Sequence, residues 1–184
     1  MAIRKKQIRE LVELLLAKRN VKQAPVPVEK IARSYDIQIK IDEVDDDLSG
    51  FLFRDKKAGR TVIGANKAHH RNRQRFTIAH ELGHYLLHEG ETVHLDHYRG
   101  AVTVNLRNSE SATGVDDDER EANLFAAELL MPAKFLEQDL RGRDLDLLDL
   151  DDDDDVFLKK LAKKYAVSPQ ALTYRLANLK YIEL

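Results

Sequence analysis

Apolar positions along this chain change their period several times, and each change predicts an element. Between residues 4 and 19, Ile8, Leu11, Val12, Leu15 and Leu16 fall on one side of a helical wheel, so the stretch reads as an amphipathic helix. Pro25 and Pro27 interrupt the pattern, and residues 28–35 restart it as a short helix. Ile37-Gln-Ile-Lys-Ile41 then alternates apolar with polar, the mark of a half-buried strand. Asp45–Ser49 reads as a turn, Gly50–Arg54 as a strand, Asp55–Gly59 as a charged turn and Thr61–Ala65 as another strand. Hairpin connections between them predict a three-stranded, largely antiparallel or mixed sheet over 37–65, with Thr61–Ala65 a candidate edge.

Helical spacing returns after the sheet. His69–Arg75 leads into Phe76–His88, where Phe76, Ala79, Leu82, Gly83, Leu86 and Leu87 form an apolar stripe. Residues 91–115 read as an irregular loop with one extended piece at Ala101–Leu106 and a flexible stretch at 109–114. Asp116–Pro132 predicts a strong helix: acids crowd its start, where they favour the dipole, and Pro132 closes it. Leu124, Ala127, Leu130 and Met131 make its apolar side, and its alanines permit close packing on another helix.

The last third changes character. Eight aspartates lie between Asp144 and Asp155, a self-repelling run that reads as an acidic linker over 144–155. Leu158–Ala166 and Ser168–Leu179 follow as two helices, Ser168 capping the second and Pro169 opening it. The predicted class is α+β: a small sheet packed on two long helices in 1–143, the linker, and a helix-turn-helix-like subdomain in 156–184.

Composition narrows the chemistry. Hydrophobic content of 43% and charged content of 34% are those of a globular chain. Arg9, Glu10 and Glu13 interrupt any apolar core in the first helix, which argues against a secretion signal, and no apolar run is long enough for a bilayer. A cytoplasmic protein without membrane contact is expected. There are no cysteines, so any metal ligands must be imidazole and carboxylate.

Those ligands have an obvious source in His80-Glu81-x-x-His84. Two imidazoles four apart share one helix face, the geometry that zinc asks of two nitrogen ligands. Glu81 lies about 100° further round, poor for ligation but well placed to touch a water polarised by the ion. His88 continues the row, yet about 12 Å of helix rise separates it from His80, too far to share an ion. A pattern with a third histidine on the same stretch would need glycine at 87 and histidine at 90; the chain has Leu87 and Gly90. The missing ligand is expected at the start of the acidic helix. Glu119 is favoured because Asn123, one turn on, can brace a ligand histidine; Glu121 is the alternative.

Arg73-Gln-Arg-Phe-Thr-Ile-Ala-His-Glu-Leu-Gly-His-Tyr-Leu-Leu-His88, followed by Glu119-Arg-Glu-Ala-Asn-Leu-Phe-Ala-Ala-Glu-Leu-Leu-Met-Pro132, resembles the ImmA/IrrE family of zinc-metallopeptidase-like proteins. Leu48-Ser-Gly-Phe-Leu-Phe and Val62-Ile-Gly-Ala-Asn66 also fit its hairpin, so the resemblance spans residues 25–135. It implies a gluzincin-like core with His80, His84 and Glu119 as Zn2+ ligands and Glu81 as general base. It also implies a protein substrate, a helix-turn-helix transcriptional repressor whose cleavage relieves repression in a stress or mobile-element response. A second oxyanion donor is expected from Tyr98, His94 or His97. Two rival expectations accompany this one. The tail, with Arg175 and Lys180 on its second helix, would touch DNA, although two cations are thin for phosphate neutralisation. Alternatively, the groove would serve a non-catalytic adaptor in which zinc only staples the fold.

Overall fold

The computed structural model describes residues 3–45, 47–88, 93–97, 114–141 and 152–182, excepting the side chains of 97, 114–116 and 152–154. Within them the chain is α+β, with seven helices and a four-stranded sheet. No helix among the described residues is long and apolar enough to cross a membrane.

Helices α1 (Lys5–Lys18) and α2 (Val28–Arg33) fall where the apolar stripes place them. Ile8, Val12, Leu15 and Leu16 of α1 are all buried. The strands are β1 (Ile37–Asp42), β2 (Leu48–Asp55), β3 (Arg60–Asn66) and β4 (Val93–His97). Their order, β1-β3-β2-β4, adds a strand to the three expected and makes the sheet mixed, one of the two arrangements expected. Only β2 and β3 form a hairpin. β1 runs parallel to β3, with Ile37 opposite Thr61 and Ile41 opposite Ala65.

The candidate edge strand at Thr61–Ala65 is therefore interior, paired on both sides. The reason lies in its residues. A central strand is covered on both faces, and Ile63, Gly64, Ala65 and Asn66 are consecutively buried, whereas β1 alternates and suits an edge. Among the described residues β4 takes the other edge, inside the segment read as irregular loop. It escaped the pattern because its apolar residues face outward: Val93 and Leu95 are 43% and 50% exposed, while His94 and Asp96 turn inward. Ala101–Leu106 and nearly all of the flexible stretch lie outside the described residues.

Of the two long helices, α3 (Arg71–Leu87) packs on β2 and β3, and α4 (Gly114–Leu130) packs on α3. They approach closely because Gly83 faces Ala122. A Cβ on Gly83 would stand 3.1 Å from the Phe125 ring and 3.2 Å from Ala122 Cα. Pro132 ends α4 as expected, but the chain turns at once into an unpredicted α5 (Ala133–Leu140), which buries Leu136 and Leu140. Eight residues carry only two full turns of periodicity, too short a signal beside a helix-ending proline.

Helix α6 (Asp152–Tyr165) and helix α7 (Pro169–Asn178) complete the chain. Ser168 caps α7, its hydroxyl accepting from the Ala171 N–H at 3.1 Å. Asp152–Asp155, read as the end of a linker, instead open α6. Acids at a helix start and Lys163 and Lys164 at its end both suit the dipole. The earlier aspartates, 144–151, lie outside the described residues. Tyr165, Leu172 and Leu176 join α1, α3, α4 and the sheet in one hydrophobic cluster.

Candidate metal centre

Helix α3 is pinned to the sheet before it presents its side chains. Gln74 is buried, and its amide donates to the carbonyls of Asn66, Lys67 and His69, locking the turn between β3 and α3. At the other end the Arg54 guanidinium of β2 donates to the carbonyls of His84, at 2.8 Å, and His88, at 3.2 Å. A cation at a helix C-terminus satisfies carbonyls that have no partner within the helix.

Held this way, His80 and His84 stand with their Nε2 atoms 3.1 Å apart. Glu119 arrives from the first half of α4, Oε1 3.2 Å from His84 Nε2 and Oε2 3.4 Å from His80 Nε2. His94 reaches in from β4, its Nε2 3.2 Å from Glu119 Oε1. The four residues offer donor atoms that all lie within 4.8 Å of one another.

The far sides of both helix histidines are engaged. His80 Nδ1–H donates to Asn123 Oδ1 at 3.2 Å. His84 Nδ1 lies 3.2 Å from His88 Nδ1, and His88 Nε2 lies 3.2 Å from Glu121 Oε2. With His88 donating to the carboxylate, its Nδ1 accepts from His84. In each case the Nε2 lone pair is left facing the cluster.

These contacts also part Glu119 from Glu121. Glu121 points the other way, where Arg4 at the head of α1 grips it through both Nε (3.0 Å) and the backbone N–H (2.9 Å). The guanidinium holds the Glu121 carboxyl down at about 2. Glu119 is the carboxylate that meets the histidines, and Asn123, one turn later, meets His80 on its outer side. His88 belongs to the outer set, as its rise along the helix requires.

Glu81 differs from all of these. It is fully buried, and neither carboxylate oxygen has a hydrogen-bond partner among the described residues. One Glu81 oxygen lies within 4.8 Å of donor atoms of His80 and Asp96. Burial pushes its carboxyl up to about 7, against the pull of His80 and His94. Burial also opposes charge on His80, yet Glu119, Glu81 and Asp96 together hold its imidazolium up to about 9. Burial works against an ionised Glu119 too, and the three imidazoles overcome it, keeping the carboxyl far below its usual range.

This set fits a metal. Donors around an ion with bonds of about 2.0–2.1 Å in a tetrahedron stand roughly 3.3–3.4 Å apart, close to the separations found here. Three imidazole rings and one carboxylate converge on a single point, which is the donor arrangement a cation takes. Of the three proposed oxyanion donors, His94 lies in this cluster, Tyr98 is outside the described residues, and the His97 side chain is not described. Asp96 was not singled out from the sequence; its only signal was the inverted alternation of β4.

Replacing Asn123 by Ala should lower metal affinity by about 10–100-fold, since His80 would lose the acceptor that fixes its tautomer. Competition with a chromophoric chelator reads this directly. An unchanged affinity would remove Asn123 from that role.

No curated protein matches the chain. The family model Peptidase_M78, described as the IrrE N-terminal-like domain, matches residues 32–177. That span takes in both long helices, the cluster they build and the C-terminal helices, reaching well past the 25–135 over which the motifs carry the resemblance. The chain belongs to the IrrE N-terminal-like family of metallopeptidase-like proteins.

Proposed function

We propose that this protein is a zinc-dependent endopeptidase whose substrate is a protein, a helix-turn-helix transcriptional repressor. The observation that carries the reading is Glu81: a buried carboxylate without a hydrogen-bond partner among the described residues, beside a cluster of imidazole and carboxylate donors. A structural metal needs no such neighbour; a hydrolytic one needs a base. Nitrogen and oxygen donors without thiolate suit zinc in a catalytic setting. The substrate class rests on the resemblance to ImmA/IrrE proteins, in which repressors of this kind are the usual targets.

Zinc held by His80, His84 and Glu119 would supply a Lewis acid and lower the pKa of water from 15.7 toward about 7. Glu81 takes the proton of the attacking water and returns it to the departing amine. Burial favours the protonated form of the Glu81 carboxyl, which suits a group that must take up a proton and give it back. Asn123 and His88 keep the two imidazoles in the tautomer that leaves Nε2 unprotonated. The outer edge of β4, rather than β3, is the main chain on which an extended peptide could align beside the cluster.

The test is incubation of metal-loaded protein with a candidate repressor, with fragments read by mass spectrometry. Fragments that vanish with chelator support the reading; an intact repressor under zinc-replete conditions counts against that substrate.

A further inference from the structure

The strand that forms the sheet edge brings a fourth donor to the cluster. His94 sits on β4, opposite Leu52 of β2, and its side chain faces α3. Its ring lies 4.0 Å, centroid to centroid, from the ring of His84. Its Nε2 is as close to Glu119 Oε1 as His84 Nε2 is, at 3.2 Å in both cases. Among the described residues the contact given for this Nε2 is to Glu119 itself, so the ring is directed at the cluster and not away from it.

We infer that His94 is a fourth protein ligand, so that the resting site is a closed set of three imidazoles and one carboxylate. The inference builds on the metallopeptidase reading and deepens it. A hydrolytic site needs one position for water, and a closed set provides that position only when His94 withdraws. His94 is suited to withdraw because of where it is anchored. α3 and α4 are pinned by buried contacts, whereas among the described residues β4 pairs only with β2, its register is broken between Leu48 and Gly50, and its outward residues are exposed. The same strand offers the edge proposed for substrate, so peptide binding and ligand release would act on one element. An oxyanion donor in the same place is the competing role for His94, and the two differ in what they do to the metal itself.

The experiment uses the full-length chain, stripped with chelator and reloaded with Co2+ alone, comparing wild type with His94→Ala and His94→Phe. The Phe variant keeps a ring against His84 but has no donor; far-UV circular dichroism of the metal-free proteins verifies folding. Visible absorption reports the cobalt coordination, azide probes for a vacant position, and chelator competition gives zinc affinity. A fourth ligand predicts a wild-type spectrum insensitive to azide. Both variants should show a shifted spectrum that responds to azide. Their zinc affinity should fall by more than the roughly 10–100-fold that loss of an outer partner brings. Unchanged spectra in both variants overturn the inference, whatever happens to cleavage; a smaller fall in affinity without a spectral change does the same. If the spectra shift yet no form of the protein cleaves any repressor, His94 stands as a ligand and the peptidase reading falls.

Discussion

Glu81→Gln is expected to abolish peptide hydrolysis while leaving the metal bound. The amide fills the same space but cannot accept a proton, so kcat should fall by about 10²–10⁴-fold or more, the range that general acid–base catalysis supplies. Metal content, read by elemental analysis, should be unchanged because Glu81 is not the carboxylate that meets the histidines. The variant also carries a stability signature that does not depend on finding the substrate. At pH 8 the wild-type carboxylate is ionised, buried and unpartnered, so the metal-free variant should be the more stable by about 1–3 kcal/mol.

The sign of the pH dependence follows from burial lifting the folded-state pKa to about 7. Below that value the native state takes up a proton that the unfolded chain releases, so the wild type regains stability as pH falls toward 5. The advantage of Gln should therefore be largest at pH 8 and shrink toward pH 5 in paired thermal melts. A variant that cleaves at the wild-type rate, or one that loses its metal, would strip Glu81 of its role.

The second large effect concerns Arg175. It is 3% exposed and forks onto Glu128, which is 2% exposed, with Nη1 3.0 Å from Oε1 and Nη2 2.6 Å from Oε2. Its Nε donates to the Met131 carbonyl at 3.1 Å, at the end of α4. Arg9 of α1 reaches the same Glu128 oxygen at 3.2 Å, so one carboxylate joins α1, α4 and α7. Arg175→Ala leaves Glu128 buried with only the longer contacts from the half-exposed Arg9, and should cost about 3–5 kcal/mol. A lower denaturant midpoint at unchanged slope would register it. Replacing both partners, Glu128→Leu with Arg175→Met, should recover most of the loss, because a well-packed apolar pair avoids the desolvation penalty. A cost below about 1 kcal/mol for the single change would mean that α7 is not locked onto α4 through this pair. Arg175 was also one of two cations counted toward DNA contact; spent on Glu128, it is not offered to phosphate.

The local part of the candidate site was legible because helices have a short, reliable period. His80 and His84 had to share a face, Glu81 had to sit off it, and His88 had to lie too far along the axis to reach the same point. Asn123 was legible for the same reason, one turn after Glu119. The parallel pairing of β1 with β3 was not, since alternation marks a strand without naming its neighbour. β4 was missed because its polar residues point inward, the reverse of the pattern that identifies a half-buried strand.

What the linear chain determined by itself, then, is the chemistry available: two imidazoles and a base on one helix, carboxylates at the head of another, and no thiol. Only the tertiary structure decided which of these meet. Gly83 against Ala122 lets α4 come close enough for Glu119 to face the histidines, while Arg4, from the far end of the chain, draws Glu121 aside. His94 enters from a strand whose place is set by pairing with β2. Contacts within one turn of helix are dictated by neighbours in sequence; contacts between elements depend on how their surfaces pack, and no local pattern encodes that distance.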